Sequence, residues 1–322
     1  MLHVLESIDA LSTIPGPVSL AIGVFDGLHL GHQSVISQAI NHAKAKNGSA
    51  VVVTFKPHPQ RVLRPHDSPL LLTSTRHKIL LLKDFGVTNL LLVPFTKQFA
   101  ETSPEDFIRA LHHACHPLER ICVGHEWEFG KNRAGNLTLL QSLGQELDFE
   151  VIGVPQVVMH DQSISSTRIR KLVETGQFES AAELLGRDFT ILGTVEHGDH
   201  VGRTLGFPTA NLTTHNEQLP PAGVYAVTAT NRQFIHMGVV NIGTRPTFYE
   251  KETRHILELH LIDFSANLYD QDIEVTFRKF LRPEQKFNSV PELQAQIEQD
   301  VQNAKRFFHG HAHAHLQIPP QR

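Results

Sequence analysis

The pattern of apolar residues changes at Gly186, and this change limits what the chain can fold into. Before Gly186, short β-branched runs such as residues 50–55 alternate with segments of helical spacing such as residues 35–43. Near-continuous apolar strands that alternate with helices are typical of a parallel, doubly wound sheet. After Gly186, the apolar segments are short, alternating and separated by turns, which favours a small antiparallel barrel. We therefore expect two domains, residues 1–186 and 187–308, as a length of 322 residues also suggests.

The first domain is expected to contain five strands and several helices. In a sheet of this kind the ligand lies at the carboxyl ends of the strands. Ser103 and Pro104 are suitable residues for the start of a helix, and residues 166–186 predict one or two helices. The five strands are predicted at residues 18–25, 50–55, 89–95, 121–124 and 149–154, with further helices over residues 35–43 and about 76–85.

The second domain is expected to be the barrel followed by one helix. Five or six strands are predicted, at residues 190–195, 223–229, 235–240, 256–262 and 273–280 among others. The final helix is predicted to start near residues 289–291. The histidine-rich residues 309–322 could bind a divalent metal, but we expect a disordered end. The apolar stripe of the final helix consists of Leu293, Ile297, Val301, Ala304 and Phe308.

The charge balance and the cysteine count exclude some classes of protein. With 29 basic against 33 acidic side chains and a net charge of -4, the chain has no basic block for a nucleic-acid backbone, so a dedicated DNA or RNA binder is not expected. Cys115 and Cys122 are too few for a disulfide scaffold and lack metal-site partners, which indicates two buried thiols. The N-terminus has no secretory signal, and no apolar stretch reaches the length of a membrane span. We expect a cytoplasmic protein without membrane or nucleic-acid partners.

Residues 23–33, GVFDGLHLGHQ, follow a predicted strand and lead into a predicted helix. At such a place backbone N–H groups and the helix dipole can hold a phosphate, and the glycines allow a close approach of the backbone. His29 and His32 are three residues apart and can face one pocket. Imidazole donors there would stabilise charge that builds up at phosphorus. A histidine pair is often structural, but the strand–turn–helix context favours nucleotide binding.

Two further segments place polar groups where a nucleotide could bind. Ser166 and Thr167 stand at a predicted helix start beside Arg168, and hydroxyl and guanidinium groups together suit a polyphosphate. A capped helix with a solvated basic face would show the same residues. His58 and Pro59 lie directly after the second predicted strand, where His58 is either a ligand or only a loop residue.

These three segments together resemble the HxGH nucleotidyltransferase superfamily, and within it the adenylyltransferase module of the bacterial bifunctional riboflavin kinase/FAD synthetase family. The resemblance is carried by residues 23–32, 55–59 and 164–170, and it implies a Rossmann-like α/β domain. The loop 124–130, with Glu126 and Trp127, departs from the family pattern Gly-x-(Asp or Asn)-Phe-x-Phe-Gly on the adenine or flavin side of the pocket. The resemblance implies ATP contacts or catalysis by Gly23, Phe25, Asp26, Gly27, His29, Gly31, His32, Ser166, Thr167 and Arg168, and flavin contacts by His58, Pro59 and Glu126.

The second half has a glycine-rich segment of its own, residues 202–211, GRTLGFPTAN. Thr209 and Asn211 offer hard oxygen ligands of the kind that Mg²⁺ accepts, although the spacing alone also fits a turn between barrel strands. Glu258 and His260 share one face of a predicted strand whose apolar residues face the other way. A carboxylate at the mouth of a small barrel could deprotonate a hydroxyl nucleophile. The alternative is a solvated strand face.

These features, together with residues 221–227, 238–248, 263–275 and 280–287, resemble the riboflavin kinase module of the same family, in family order. The resemblance implies a six-stranded antiparallel β-barrel, Mg²⁺ with ATP at Thr209 and Asn211, and Glu258 as the catalytic base. The family has glycine where Asp270 stands, for which we expect only a local change of the turn. The resemblance also implies ATP contacts by Gly202, Arg203, Gly206 and Pro208, and a flavin contact by Arg282.

The resemblance covers nearly the whole chain and implies a bifunctional enzyme with flavins as substrate and product and no redox cofactor. ATP would phosphorylate riboflavin to FMN, and a second ATP would convert FMN to FAD and pyrophosphate. His29 and His32 would stabilise the reacting phosphorus, while the segment from Ser166 to Arg168 would hold pyrophosphate. The alternatives are another HxGH enzyme, such as a cytidylyl- or pantetheine adenylyltransferase, and a flavin or nucleotide sensor that binds without turnover.

Overall fold

The computed structural model describes residues 2–196, 206–231, 234–246 and 253–310 of the chain. The chain divides into two packing units. The first extends to Ile169 and includes Leu184–Gly186, and the second combines Arg170–Glu183 with the chain from Arg187 onward. Each unit builds its own sheet and has its own candidate site.

The first unit contains a six-stranded sheet in the order β1-β4-β3-β2-β5-β6. Every pairing in it is parallel, as predicted. The prediction of five strands was wrong, because the N-terminal edge strand was missed; it is only three residues long and has no apolar run to mark it. The strands are β1 (His3–Leu5), β2 (Val18–Ile22), β3 (Ser49–Lys56), β4 (Asn89–Pro94), β5 (Leu118–Gly124) and β6 (Glu150–Val154).

Helices cover both faces of this sheet, because neighbouring strand residues point to opposite sides. Leu20 and Ile22 pack with α5 and α6, whereas Ala21 between them packs with α1 and α3. Ser103 caps α5 and Pro104 opens it, as predicted. Cys115 and Cys122 are buried free thiols, also as predicted. The helices that precede the barrel along the chain are α1 (Leu30–Ala45), α2 (Pro59–Leu63), α3 (Thr75–Asp84), α4 (Lys97–Ala100), α5 (Pro104–Ala114), α6 (Leu137–Leu147), α7 (Ser166–Glu174) and α8 (Phe178–Leu185), with a small hairpin of β7 (Val158–Met159) and β8 (Gln162–Ser163) before α7.

The second unit contains a closed barrel in the order β10-β13-β12-β11-β14-β9. Its strands pair antiparallel, which confirms the predicted six-stranded barrel. One strand of the six lies partly inside the segment interpreted as a glycine-rich loop, since Ala210 and Asn211 already belong to it. The strands are β9 (Thr190–Glu196), β10 (Ala210–Thr214), β11 (Gly223–Thr230), β12 (Ile235–Pro246), β13 (Thr253–Leu261) and β14 (Asp272–Arg282).

The last helix, α9 (Val290–Gly310), packs on the outside of the barrel. Its buried residues Val301 and Ala304 contact Val224 and Val239 of the barrel wall, which confirms the predicted apolar stripe. The helix continues through His309 and Gly310. The remainder of the predicted tail, residues 311–322, lies outside the described residues, so its disorder stays a prediction.

Helix α8 packs with the barrel unit through an aromatic cluster. The ring of Phe178 lies 5.5 Å from that of Phe277 and 5.7 Å from that of Tyr225. Arg170–Glu183 therefore belongs to the second packing unit, although the sequence placed the boundary at Gly186. The predicted domain boundary stays a prediction that stability measurements can test.

Candidate active sites

The first candidate site is the turn that follows β2 at the carboxyl edge of the sheet. Phe25 and Leu28 have φ angles of 51° and 43°, in the left-handed region that side chains rarely adopt. At Gly23 a Cβ atom would lie 2.7 Å from the Phe25 ring, so glycine is needed there for this ring to pack. The turn is thus a fixed feature of the fold.

A distant segment of the chain holds this turn through Asp26. The buried carboxylate of Asp26 accepts hydrogen bonds from Leu72 N at 3.2 Å, Thr73 N at 2.9 Å and Thr73 Oγ1 at 3.0 Å. Gly27 N in turn donates to Thr73 Oγ1 at 3.0 Å. The predicted ATP contact of Asp26 stays a prediction, but its side chain already binds the backbone of this segment. A buried carboxylate that accepts several hydrogen bonds in this way orders the turn.

His29 and His32 lie together at the start of α1, as predicted. Their rings stack with centroids 3.5 Å apart. His29 caps α1, since its Nδ1 accepts a hydrogen bond from His32 N at 3.3 Å, which places the proton of a neutral His29 on Nε2. A Cβ on Gly31 would press on the His29 ring at 3.2 Å. Gly31 therefore makes room for the stacked pair.

The imidazole of His32 is held uncharged. Burial lowers its pKa well below the usual value, and the neighbouring His29 and Lys78 lower it further. Its Nδ1 atom is buried and has no hydrogen-bond partner in the described part of the chain. A neutral imidazole still carries one N–H, so His32 can act as a hydrogen-bond donor to an oxyanion.

Sequence reasoning missed Lys78, whose side chain contacts the turn after β2. Its side chain is buried, and Nζ donates a hydrogen bond to Val24 O at 2.6 Å. Burial lowers its pKa to about 8, against an opposing influence of Asp26. A signal was present, because Lys78 is spaced three and four residues from the buried Leu81 and Leu82 and so lies on the apolar face of α3.

The structure brings Ser166 to the turn but uses Arg168 elsewhere. Ser166 Oγ donates to Asp26 O at 2.8 Å, which ties the start of α7 to the turn. The guanidinium of Arg168 donates to Met159 O at 3.0 Å and to Gln162 O at 3.1 Å, both in the β7–β8 hairpin. Thr167 is exposed. Their predicted contacts with pyrophosphate stay predictions.

An aromatic cavity of about 320 Å³ lies beside the turn, and Val24 forms part of its wall. Trp127 and Phe129 stack in it with centroids 4.3 Å apart, so the loop that departs from the family pattern still supplies aromatic surface. Pro59 and Glu126 line the cavity, whereas His58 caps α2 by accepting from Gln60 N at 3.2 Å; the flavin contacts of all three stay predictions. The other aromatic walls are Phe55, Phe95, Phe99 and Phe107.

The second candidate site lies on the outer face of the barrel, below α9. Glu258 of β13 stands opposite Asn211 of β10 and Asn241 of β12, while its neighbours Leu257 and Leu259 are fully buried. Because side chains alternate along a strand, Glu258 lies on the opposite face of β13 from these two leucines. It lines a cavity of about 230 Å³ against α9, and its role as the catalytic base stays a prediction.

A further cavity of about 560 Å³ lies next to it, between β10 and the loop that follows β13. Thr209 lines both cavities, and no other described residue lines both of them. In this loop Asp270 has a φ of 62° and its N–H donates to Val195 O at 2.9 Å. Aspartate tolerates this left-handed conformation, so the turn forms without the family's glycine.

Other residues predicted for the second site make contacts elsewhere in the protein, are exposed, or lie outside the described residues. Arg282 lines the smaller cavity, but its Nε and Nη2 donate to the buried carboxylate of Asp300 at 2.8–3.0 Å. Pro208 O accepts from His260 Nδ1 at 2.9 Å, so His260 anchors the chain next to Thr209. Gly206 is exposed, with a φ of 83°. Gly202 and Arg203 lie outside the described residues.

Comparisons with known proteins match two different family models to two successive parts of the chain. A family model described as FAD synthetase matches residues 12–168, and one described as riboflavin kinase matches residues 185–308. The chain is 35% identical to the bifunctional riboflavin kinase/FMN adenylyltransferase of Buchnera aphidicola subsp. Schizaphis graminum, over 95% of this chain and 99% of the relative. The corresponding proteins of Listeria monocytogenes and Escherichia coli K12 are 39% and 37% identical, each over 90% of this chain and 92% of the relative.

A solved structure from Streptococcus pneumoniae, described as a macrolide-efflux protein, is similar as well. It aligns with a TM-score of 0.80 and 30% identity, covering 94% of this chain and 99% of that one. Within the described residues, no helix has both the length and the apolar character needed to span a bilayer. From the two family models and the nearly full-length relatives, we conclude that the chain belongs to the bifunctional riboflavin kinase/FMN adenylyltransferase family.

Proposed function

We propose that this chain carries out both reactions, the phosphorylation of riboflavin to FMN and the adenylylation of FMN to FAD. The observation that carries the kinase reaction is that two cavities of the barrel unit meet at Thr209. A phosphoryl transfer needs a donor and an acceptor that meet at one point, and adjoining cavities with a shared wall provide that point. The first unit supports the second reaction by a similar arrangement. The turn after β2, which is suited to hold a phosphate, lies beside the aromatic cavity.

In the kinase site, the acceptor occupies the smaller cavity, because that cavity contains Glu258. The carboxylate of Glu258 aligns the ribityl 5′-hydroxyl and accepts its proton while the oxygen attacks the γ-phosphorus of ATP. ATP occupies the larger cavity, and ADP leaves from it. Since transition states of this kind are loose, alignment of the two substrates contributes more than the strength of the base.

The donor groups at this site suit magnesium. The hydroxyl of Thr209 and the amide oxygen of Asn211 are hard oxygens, and Asn211 stands opposite Glu258 in the sheet. Among the residues that the structure describes, no group of three or more His, Cys, Asp or Glu side chains could hold a metal ion alone. A few protein oxygens completed by phosphate and water are the usual environment of Mg²⁺. When bound with ATP, Mg²⁺ would neutralise phosphate charge.

In the adenylyltransferase site, an oxygen of the FMN phosphate attacks the α-phosphorus of ATP, and the bond to pyrophosphate breaks. No covalent intermediate with the protein is required. The N–H groups of His29 and His32 stabilise the negative charge that develops on the α-phosphate oxygens. Because the pKa of His32 is lowered, it acts as a neutral donor and remains so through the physiological pH range.

The flavin ring is assigned to the aromatic cavity next to this turn. A flat, largely apolar ring gains free energy from contact with aromatic side chains, and Trp127 and Phe129 already present stacked rings there. The carboxylate of Glu126, which accepts a hydrogen bond from Gln156, provides a polar group at the cavity wall. The use of ATP and the two buried free thiols fit a cytoplasmic enzyme.

The deciding experiment follows the products of purified protein given riboflavin, ATP and Mg²⁺. Chromatography with mass detection should show FMN first and FAD later, with one ADP and one pyrophosphate released per FAD. Formation of neither flavin nucleotide, despite measurable FMN binding, would identify a sensor and refute the proposal. Adenylylation or cytidylylation of a different acceptor with no FAD would point to another HxGH enzyme.

A further inference from the structure

We propose that Lys78 is a positioning residue for adenylyl transfer, which acts through the Val24–Phe25 peptide and through the His32 imidazole. This inference rests on the proposed adenylyltransferase activity of the first unit. Lys78 lies in α3, outside the three segments that carry the resemblance to the HxGH superfamily in this unit.

Lys78 helps to fix the orientation of one peptide group. Val24 O accepts two hydrogen bonds, from Lys78 Nζ at 2.6 Å and from Thr54 Oγ1 at 2.9 Å. The Val24–Phe25 bond is trans, so its N–H points away from its carbonyl oxygen and hence from these two donors. In the described part of the chain, the Phe25 N–H has no hydrogen-bond acceptor. Lys78 thus helps to fix a backbone donor that faces the opposite side, where an anion can accept from it.

The positive charge of Lys78 also acts on its titratable neighbours. Asp26 is the acidic group that acts on Lys78, and His29 and Lys78 are the basic groups that act on His32. The ammonium of Lys78 opposes protonation of His32 and so keeps it in the neutral donor form. Lys78 does not need to touch the substrate for this effect.

Packing alone does not explain a lysine at this position of α3. Lys78 shares the buried face of α3 with Leu81 and Leu82, where an apolar side chain would pack without losing the hydration of a charge. Burial of a lysine is unfavourable unless its charge or its donors are used. Met or Leu could neither donate a hydrogen bond to Val24 O nor place a positive charge near His32.

The test compares Lys78→Met with Lys83→Met, an exposed lysine of the same helix. Both activities are measured on each preparation, with FMN supplied for the adenylylation assay. In Lys78→Met, kcat for FAD formation should fall by about ten-fold or more, because the Phe25 N–H is oriented less firmly and His32 is no longer kept neutral by a nearby positive charge. Riboflavin phosphorylation should stay within about two-fold, and Lys83→Met should change neither activity.

A second measurement does not depend on turnover. The ring protons of His32 are assigned by NMR with the help of His32→Gln, and their titration is followed in the wild type and in both lysine variants. The pKa of His32 should rise in Lys78→Met and stay unchanged in Lys83→Met. A purely structural role for Lys78 would not move this titration selectively.

Two results would overturn the inference. One is a Lys78→Met variant that forms FAD within two-fold of the wild-type rate and leaves the titration of His32 unmoved. The other is an equal loss of both activities with a lower melting temperature, which indicates a packing defect. If the wild type forms no FAD at all, the proposed function fails separately, and the His32 titration alone then decides whether Lys78 controls this imidazole.

Discussion

At the scale of single residues, the ammonium of Lys78 lowers the stability of the fold that contains it. Its pKa falls from 10.5 to about 8 because burial removes water from the charged form. Below about pH 8 both the folded and the unfolded chain carry this proton, so the full penalty applies to the folded state. Between about pH 8 and 10.5 only the unfolded chain keeps the proton, and the penalty decreases as the pH rises.

We therefore predict that Lys78→Met stabilises the protein at pH 7 while it lowers FAD formation. The shift in pKa corresponds to about 3 kcal/mol of unfolding free energy, an upper bound because the variant also loses one hydrogen bond to Val24 O. The gain should be smaller at pH 10 than at pH 7. Chemical denaturation at the two pH values measures it. A variant less stable than wild type at pH 7 would contradict the prediction.

A second residue-scale prediction separates the two activities. Glu258→Gln keeps the shape of the side chain but removes the proton acceptor, so FMN formation should fall by about 100-fold or more. FAD formation from supplied FMN should remain at the wild-type rate. Glu298→Gln, an exposed glutamate of α9, is the control and should change neither rate. Equal loss of both activities in Glu258→Gln would refute separate sites.

The reciprocal variant is His29→Ala. It removes the Nε2 donor and the cap of α1, so FAD formation should fall by about 100-fold or more while riboflavin phosphorylation is retained. Product analysis with riboflavin as the only flavin should then show FMN that accumulates. Continued accumulation of FAD would refute the role assigned to His29.

The chemistry of single residues was only partly predictable from the sequence. That His29 and His32 lie close together follows from their spacing, because it depends on a local turn and the first turn of one helix; the stacking of their rings was not predicted. The contacts of Asp26 could not be predicted, since Leu72 and Thr73 lie 46 and 47 residues away along the chain. Arg168 was assigned to phosphate, but its donors are used by two carbonyls of a hairpin that the sequence did not reveal.

At the scale of elements, a buried ion pair helps to hold α9 against the barrel. Asp300 is 2% exposed and accepts from Arg282 and also from Gln296 Nε2 at 3.0 Å. This pair lines the cavity that contains Glu258, so the position of the helix and the shape of the acceptor site depend on each other. Removal of one partner leaves the other charge without compensation in a largely dehydrated place.

Asp300→Ala should therefore lower the unfolding free energy by about 3 kcal/mol, and it should raise KM for riboflavin more than it lowers kcat. Adenylylation of supplied FMN should be unaffected. Glu298→Ala on the same helix controls for the loss of an exposed carboxylate. Thermal unfolding and riboflavin saturation curves measure the two effects. An unchanged KM would show that this contact does not shape the acceptor cavity.

Elements with strong local signals were predicted well, and elements that depend on pairing were not. Helix α5 was found from its cap at Ser103 and Pro104, and α9 from its apolar stripe. The strands β1 and β10 have three and five residues, and only one residue of each is buried, so neither gives a long apolar run. Both exist because a longer neighbour supplies hydrogen bonds, β4 for the first and β9 and β13 for the second.

At the scale of the whole molecule, we ask which residues unfold together with the parallel sheet and which unfold together with the barrel. The sequence placed α8 in the first domain, since its helical pattern continues the α/β alternation. In the structure the ring of Phe178 lies among those of Phe189, Tyr225 and Phe277, all of which belong to the barrel unit. Such an assignment depends on contacts between distant residues, which no local pattern contains.

Phe178 and Phe149 provide a matched pair for this question, because each is 7% exposed and each lies in a different unit. Truncation of a buried phenylalanine costs about 3–5 kcal/mol of unfolding free energy. Phe178→Ala should lower the temperature at which riboflavin phosphorylation is lost more than that for FMN adenylylation, and Phe149→Ala should do the opposite. Heat-inactivation curves of both activities on each variant measure this. If Phe178→Ala weakened adenylylation alone, α8 would belong to the first domain, and the boundary at Gly186 would be correct.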